Sequence, residues 1–419
     1  MKVKKAKQKN NFLMTESARK KIIITLILIL IIRVGSHLSI PGITQKAIIE
    51  SRSFNLKPLN IYSNSLPNLF SIGIGPSITA SILMQIILSI NTDLKKIQRE
   101  EGEYGRRIIN RYIRVLTLSI TIFQSIFLTL RFRPFLNDFN FYRFFEISSL
   151  LVTGSMILLW ISEKITKNGI VKGSSLLVFL NVAENLPYLF YASLNDLTLL
   201  KTILLIVTLT ITMTSIIFLQ QTTRQILLKK SNISTLKTEK NTYKQKAFFP
   251  CKLNTSGVMP LVFVSYFLPI LSNIIFLILI KINNFFNIEI VFPSILTKFI
   301  YYFTEFCLIC FFSQNYSIIL IDPKDISEEF KKAAIYIPEI RPGQPTLEYL
   351  EKLFQRHAFI GGVILAFNTI LMNIVGSIIK LPIVEALSIS SQIIMIGIIV
   401  EGYEKIYGII ITDIYKKYL

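Results

Sequence analysis

Residues 20–38 read KKIIITLILILIIRVGSHL, and between Lys21 and Arg33 every residue except Thr25 is Ile or Leu. Such a run has no polar face to give to water, and with its flanks it reaches the length of about 20 residues that crosses a hydrocarbon core of roughly 30 Å. It contains no small-residue cleavage motif and runs on into further apolar stretches, so it reads as a retained span and not a removable signal peptide. Working outward, nine more stretches of the same kind follow, which places ten spans near 21–38, 73–90, 108–130, 146–163, 173–190, 198–220, 257–281, 298–321, 358–376 and 383–400. In lipid a spanning segment must satisfy its own backbone hydrogen bonds, so these are expected as helices and the fold class as an all-α membrane protein.

Composition agrees with this reading. Of 419 residues, 52% are hydrophobic and only 17% charged, with a mean hydropathy of +0.54. The 46 Lys and Arg against 25 Asp and Glu leave a charge of +21, but a chain this apolar does not spread that charge over a soluble, nucleic-acid-binding surface. The charge belongs in loops beside the membrane. With the N-terminus on the side termed cis, segments 1–22, 91–107, 163–172, 221–256, 322–356 and 401–419 hold 33 Lys and Arg, whereas the trans segments hold 7. The positive-inside rule then puts both termini on the cytoplasmic or equivalent side. Three cysteines and two histidines are too few for a zinc framework or a disulfide scaffold. The 74 isoleucines, with abundant Lys, Asn and Phe, are what AT-rich coding produces and point to an organellar or reduced bacterial genome.

Two features depart from plain spans and connectors. The cis loops 221–256 and 322–356 are long; a solvated basic loop is the simple account, but loops beyond about 12–15 residues commonly carry function, and two on one face could receive a soluble partner. On the trans side, residues 60–88, NIYSNSLPNLFSIGIGPSITASILMQIIL, interrupt an apolar pattern with Pro67, Gly73, Gly75 and Pro76 before a helix resumes near Ser77. Non-helical backbone at membrane depth is tolerated where protein buries it or water reaches it, so this is either a loop packed on the bundle or a re-entrant piece at a pore mouth.

Six motifs make a family resemblance specific: VGSHLSIPGI at 34–43, FSIGIGPSITASILMQ at 70–85, GEYGRRIINRYIR at 102–114, WISEKITKNGIVKGSSLLVF at 160–179, LNTSGVMPLVF at 253–263 and IRPGQPTLEYLEK at 340–352. In this order and spacing the chain resembles the SecY family, the channel subunit of the Sec translocon. The resemblance implies two pseudo-symmetric halves of five helices around a central pore, with halves at 21–197 and 198–400 and tails at 1–20 and 401–419. It implies an apolar ring of Ile78, Ile82, Val178, Val182, Val262 and Ile394, a plug near Lys57–Ile72, and a lateral gate between spans two and three and spans seven and eight to which Gln85 would contribute. Residues four apart share a helix face, and a ring of branched aliphatic side chains can exclude ions by dewetting. Each of these positions also suits ordinary bundle packing. Arg341 matches the family arginine that engages a motor or ribosome. The other loop carries Gln220, Gln221, Thr222, Thr223, Arg224 and Gln225, where relatives commonly have paired arginines, and Lys229, Lys230, Lys237, Lys240, Lys244 and Lys246 could offset that loss by long-range attraction.

Partners implied by the resemblance are a SecE-type subunit, the SecA ATPase, the ribosome, signal-bearing precursors, an optional third small subunit, and the lipid bilayer. No cofactor is implied. Cys307 and Cys310 form a C-x-x-C within a span without a neighbouring charge or turn to lower a thiol pKa. Arg33 and Lys201 lie where snorkelling to an interface is open to them, Glu305 lies within a span, and Asn181, Glu184 and Asn185 suit a trans vestibule. His37 and His357 lack ligand partners. No Walker loop, nucleophile elbow or paired-carboxylate set appears, so an enzyme is not expected. The competing reading, a substrate-coupled secondary transporter, should carry ionisable residues at mid-membrane in both halves, where the pore positions here are aliphatic. The compositional bias together with the short IYKKYL tail favours a plastid thylakoid membrane, with a bacterial plasma membrane as the alternative.

Overall fold

The computed structural model describes residues 16–41, 68–133, 140–193, 198–230, 247–265, 267–269, 271–272, 294–379, 384 and 387–418. The chain forms two compact units, one of residues 1–192 and 397–419 and the other of residues 193–396.

In the first unit, α1 (Glu16–Ser36) covers the opening apolar run. α2 (Gly75–Ile90) begins with Pro76 in its first turn, where the missing N–H costs nothing. Asn91 ends it in an extended conformation and also caps α3 (Thr92–Glu100), accepting from the backbone N–H groups of Asp93 at 3.0 Å and Leu94 at 3.4 Å. α4 (Gly102–Phe132) and α5 (Phe141–Asn168) are long enough, at roughly 1.5 Å per residue, to outrun the bilayer core. Along α4, Thr117, Thr121, Ser125 and Thr129 recur every fourth residue and are buried, while the residues around them face outward. Their hydroxyls bond back to the helix, as Thr121 does to the Thr117 carbonyl at 2.6 Å, and Thr129 meets Ser148 of α5 at 3.1 Å. A small-residue stripe of this kind lets membrane helices approach closely without burying an unpaired hydroxyl. At the cis end, Arg114 Nε and Nη2 donate to Glu163 Oε1 and Oε2 at 2.8 and 2.6 Å, a two-pronged bond between α4 and α5. α6 (Gly173–Ser193) follows as the fifth of the helices that match expected spans and contains Pro187.

In the second unit, α7 (Leu199–Gln221) leads into β1 (Thr223–Lys230), and α8 (Met259–Pro269), α9 (Ser294–Leu320), α10 (Pro323–Lys332) and α11 (Gln344–Ile379) follow. α12 (Ile389–Tyr418) begins here and ends in the first unit. α9 packs along α11, tied by Ser313 Oγ donating to the Ala358 carbonyl at 2.8 Å and by Asn373 Nδ2 donating to both Glu305 oxygens at 3.0 and 3.1 Å. α7 joins α11 through Asn368 Nδ2 and Ser215 Oγ at 2.8 Å. Each of the ten expected spans meets one of these helices: α1, α2, α4, α5, α6, α7, α8, α9, α11 and α12.

The two long cis loops bring an element the sequence reading lacked. β2 (Ala247–Lys252) pairs antiparallel with β1, from Thr223 opposite Lys252 to Leu228 opposite Ala247, and β3 (Ile335–Tyr336) pairs with the other edge of β1, giving the order β2-β1-β3. The loops are therefore one folded module, with a core of Ile226, Cys251, Ile337, Leu350, Leu353 and Phe354. α11, 36 residues and about 54 Å long, supplies the last three of these from its first three turns, which extend beyond its apolar span.

Candidate functional site

Four of the six expected ring positions lie in the first unit and two in the second. Ile82 of α2 is buried; Ile78 on the same helix and Val178 and Val182 of α6 are half-buried. Each pair is four residues apart and so stacked on one helix face. The approach to α2 lies beside α6: a side chain at Gly73 would begin 3.8 Å from Asn181 Nδ2, between the two valines in sequence. Val262 of α8 and Ile394 of α12 are half-buried positions of the second unit, and Gln85 is half-buried on α2, three residues past Ile82.

A cavity of ≈ 290 Å³ opens within the first unit. Its wall includes Ile32, Phe70 and Leu177, and its polar edge is Arg33, Asn68, Asn181 and Glu184. Arg33 does not merely reach for an interface as its position on span one allowed; its Nη1 meets Glu184 Oε1 at 2.6 Å. Asn181 and Glu184 line this cavity, while the Asn185 side chain lies outside the described residues. The ion pair was not readable in the sequence because 151 positions separate its members; the one signal was a charge near the same end of two spans.

On the cis module Arg224 and Lys229 are exposed on β1, opposite Cys251 and Tyr336, and Lys230 stands opposite Ile335. Arg341 is exposed in the turn before α11, where its carbonyl accepts from Thr346 Oγ1 at 2.8 Å and fixes the turn to the helix start. Burial pushes the Cys251 thiol up to about 11, with Arg224 opposing the shift. Lys237, Lys240, Lys244, Lys246 and the 57–67 part of the expected plug lie outside the described residues.

The remaining singled-out residues have structural partners or open surfaces. Glu305 is buried against Asn373; His357 Nδ1 lies 2.7 Å from the Leu353 carbonyl; His37 is exposed. Cys307 and Cys310 are free thiols. Among the described residues no cluster of three or more His, Cys, Asp or Glu could hold a metal ion.

These features define a class: a multi-pass helical membrane protein with a folded, basic module on its cis face. Residues 68–403 match the SecY family. The chain is 40% identical over 414 residues to the protein translocase subunit SecY of Heterosigma akashiwo, covering 96% of this chain and 91% of that one. It is 36% identical to the subunit of the same name from Vaucheria litorea, with 93% and 94% covered, and 30% identical to that of Synechocystis sp., with 95% and 93% covered. Among solved structures, a SecY described by its plug domain, which stabilises the closed state and maintains a membrane seal, superimposes with a TM-score of 0.60 at 14% identity, covering 93% of this chain and 92% of that one. Sec61 from a canine ribosome–channel complex gives 0.55 at 14% identity, with the same coverage. The chain belongs to the SecY family. It has the ten-helix channel fold and is a protein-conducting channel subunit of the translocase, embedded in a membrane by multiple passes and not an enzyme.

Proposed function

We propose that the chain passes unfolded precursors through a collar formed by Ile78, Ile82, Val178, Val182, Val262 and Ile394, closed at rest by a plug near Lys57–Ile72. Apolar segments leave sideways into lipid along a gate to which Gln85 contributes. A segment with about 20 apolar residues gains about 0.3–0.6 kcal/mol for each Leu, Ile, Phe or Val near the bilayer centre, which is enough to drive it sideways, whereas polar segments stay in the aqueous path. Work comes from outside: a SecA ATPase or a translating ribosome engages the cis module through Arg341, Arg224, Lys229 and Lys230, and a SecE-type subunit, with an optional third small subunit, braces the channel. The membrane is the thylakoid of a plastid, in keeping with the compositional bias and the algal relatives; a bacterial plasma membrane is the alternative that the Synechocystis relative keeps open.

The observation that carries this reading is the approach of Gly73, just before α2, to Asn181 of α6, which puts the entry to the helix bearing Ile78 and Ile82 next to the helix bearing Val178 and Val182. A precursor stalled in the reconstituted channel tests it. Photocrosslinkers at 78, 82, 178, 182, 262 and 394 should all capture the precursor, and one at the outward-facing Phe123 should capture lipid. Equal capture at Phe123 would refute the collar.

A further inference from the structure

Residues 68–72 fall within the stretch that the family resemblance assigns to the plug, yet their contacts are those of a fixed part of the scaffold. On the α1 side, Asn68 Nδ2 donates to the Ser36 carbonyl at 2.7 Å, the Leu69 N–H donates to the Leu38 carbonyl at 2.9 Å, and Ser39 and Asn68 form an antiparallel bridge. The Phe70 ring lies on bare backbone at Gly35, where a Cβ would fall 2.3 Å from ring atom Cε2. On the α5 side, the Leu69 carbonyl oxygen presses on Gly154, where a Cβ would fall 2.0 Å from it. Ile72 packs on the buried cluster of Ile40, Phe132, Ile147 and Leu151. The segment is also wound on itself: Asn68 N–H donates to Ser71 Oγ at 2.8 Å, and Gly73 N–H to the Phe70 carbonyl at 2.8 Å.

We propose that residues 68–74 are an anchor that stays on α1, α4 and α5 throughout transport, so that whatever part of the plug moves ends before Asn68. Asn68, Gly35 and Gly154 are then positioning residues for the channel. The anchor has a function of its own. The Ile78 N–H already bonds to the Ile74 carbonyl at 3.3 Å, so a segment 68–74 that travelled with the plug would pull on the first turn of α2 and with it on Ile78 and Ile82. Two glycines with no side chain are what allow the clamp to close on both sides. Substituting Gly154 requires the backbone of the segment to move, because the obstacle is the Leu69 carbonyl oxygen, whereas a side chain at Gly35 has to displace the Phe70 ring.

This inference rests on the plug reading above, and the test separates the two. Paired residues of an antiparallel bridge have Cα atoms within the span of a disulfide, so Ser39→Cys/Asn68→Cys in the full-length channel can be locked by oxidation, with each single-cysteine variant as control. The locked protein, reconstituted with a SecA-type motor, should move an unfolded precursor as fast as its reduced form. Transport that falls in proportion to the cross-linked fraction and returns with reductant would overturn the anchor, and so would failure of the pair to cross-link. Gly154→Ala, which displaces Leu69, should raise the resting ion leak severalfold while precursors still pass; an unchanged leak in the assembled variant would count against it. Deleting 57–67 addresses the plug alone: without a rise in resting leak the plug reading fails, whereas the locked pair still reports whether 68–74 moves.

Discussion

At the scale of single residues, burial decides which groups are chemically available. The Cys251 thiol is 2% exposed in the cis module, and its titration is pushed from 9.0 to about 11, chiefly by loss of hydration. The thiolate is the reactive form, so Cys251 should resist maleimide at neutral pH in the folded protein and react once the module unfolds, a contrast that mass spectrometry can follow. The pH dependence has a definite sign. The folded state holds this proton more tightly than the unfolded one, so the group leaves stability unchanged below pH 9 and lowers it as pH rises from 9 towards 11. Chemical denaturation of the module that showed loss of stability from this thiol at lower pH would contradict the burial. The Arg33–Glu184 pair is a different case, because its side chains are 53% and 28% exposed. Water screens such a pair, and breaking it should cost no more than about 1 kcal/mol. Its larger effect is on charge in the cavity: Glu184→Gln leaves Arg33 uncompensated and should shift the open channel's ion preference towards anions, while Arg33→Gln should shift it towards cations. Reversal potentials in planar bilayers read both, and shifts of the same sign would exclude a role for this pair in the permeation path.

At the scale of elements, the cis module is a small domain built from two loops and the emerging end of α11. Leu350 and Phe354 are fully buried in it, and truncating a buried Phe costs about 3–5 kcal/mol, a large share of what so small a core supplies. Phe354→Ala should therefore expose residues 322–343 to protease and abolish stimulation of a bound motor, while the membrane part of α11 stays inserted. Arg341→Ala, at an exposed position, should lower stimulation with the protease pattern intact. If both variants give the same pattern, the arginine acts through folding and not by contact. This module also marks where sequence reading stops. Apolar runs fixed the spans because each run carries its own reason for being helical, down to Pro76 at the start of α2 and Asn91 at its end. The pairing of Lys229 with Tyr336 has no such local cause, since it depends on residues of two different loops, more than a hundred positions apart, meeting on the same face. The anchor at 68–74 was hidden for the same reason: Gly35 and Gly154 read as ordinary small residues until Phe70 and Leu69 are laid against them. Resemblance supplied the ring positions one by one, and periodicity alone could not have chosen them from so many isoleucines.

At the scale of the whole molecule, the proposed collar makes a statement about volume that packing does not. Family members often carry isoleucine at the ring positions, and Val178, Val182 and Val262 here are each one methylene smaller. Converting all three to isoleucine adds material at sites on α6 and α8, in both units of the chain. In a filled interior such additions force off-rotamer side chains and cost typically 1–3 kcal/mol. Around an opening, the added methylenes meet no neighbour, stability is unchanged, and the opening narrows. The triple variant should accordingly unfold at the same detergent and temperature midpoint as the parent, leak ions less at rest, and pass an extended precursor at an unchanged rate, because a translocating chain makes no specific contact with an aliphatic ring. A lowered midpoint with no change in leak would place these valines in ordinary packing and remove α6 and α8 from the collar. Both measurements are needed on the same preparation, since a destabilised channel can also leak, and only a reduced leak at constant stability distinguishes a narrowed hole from a strained bundle.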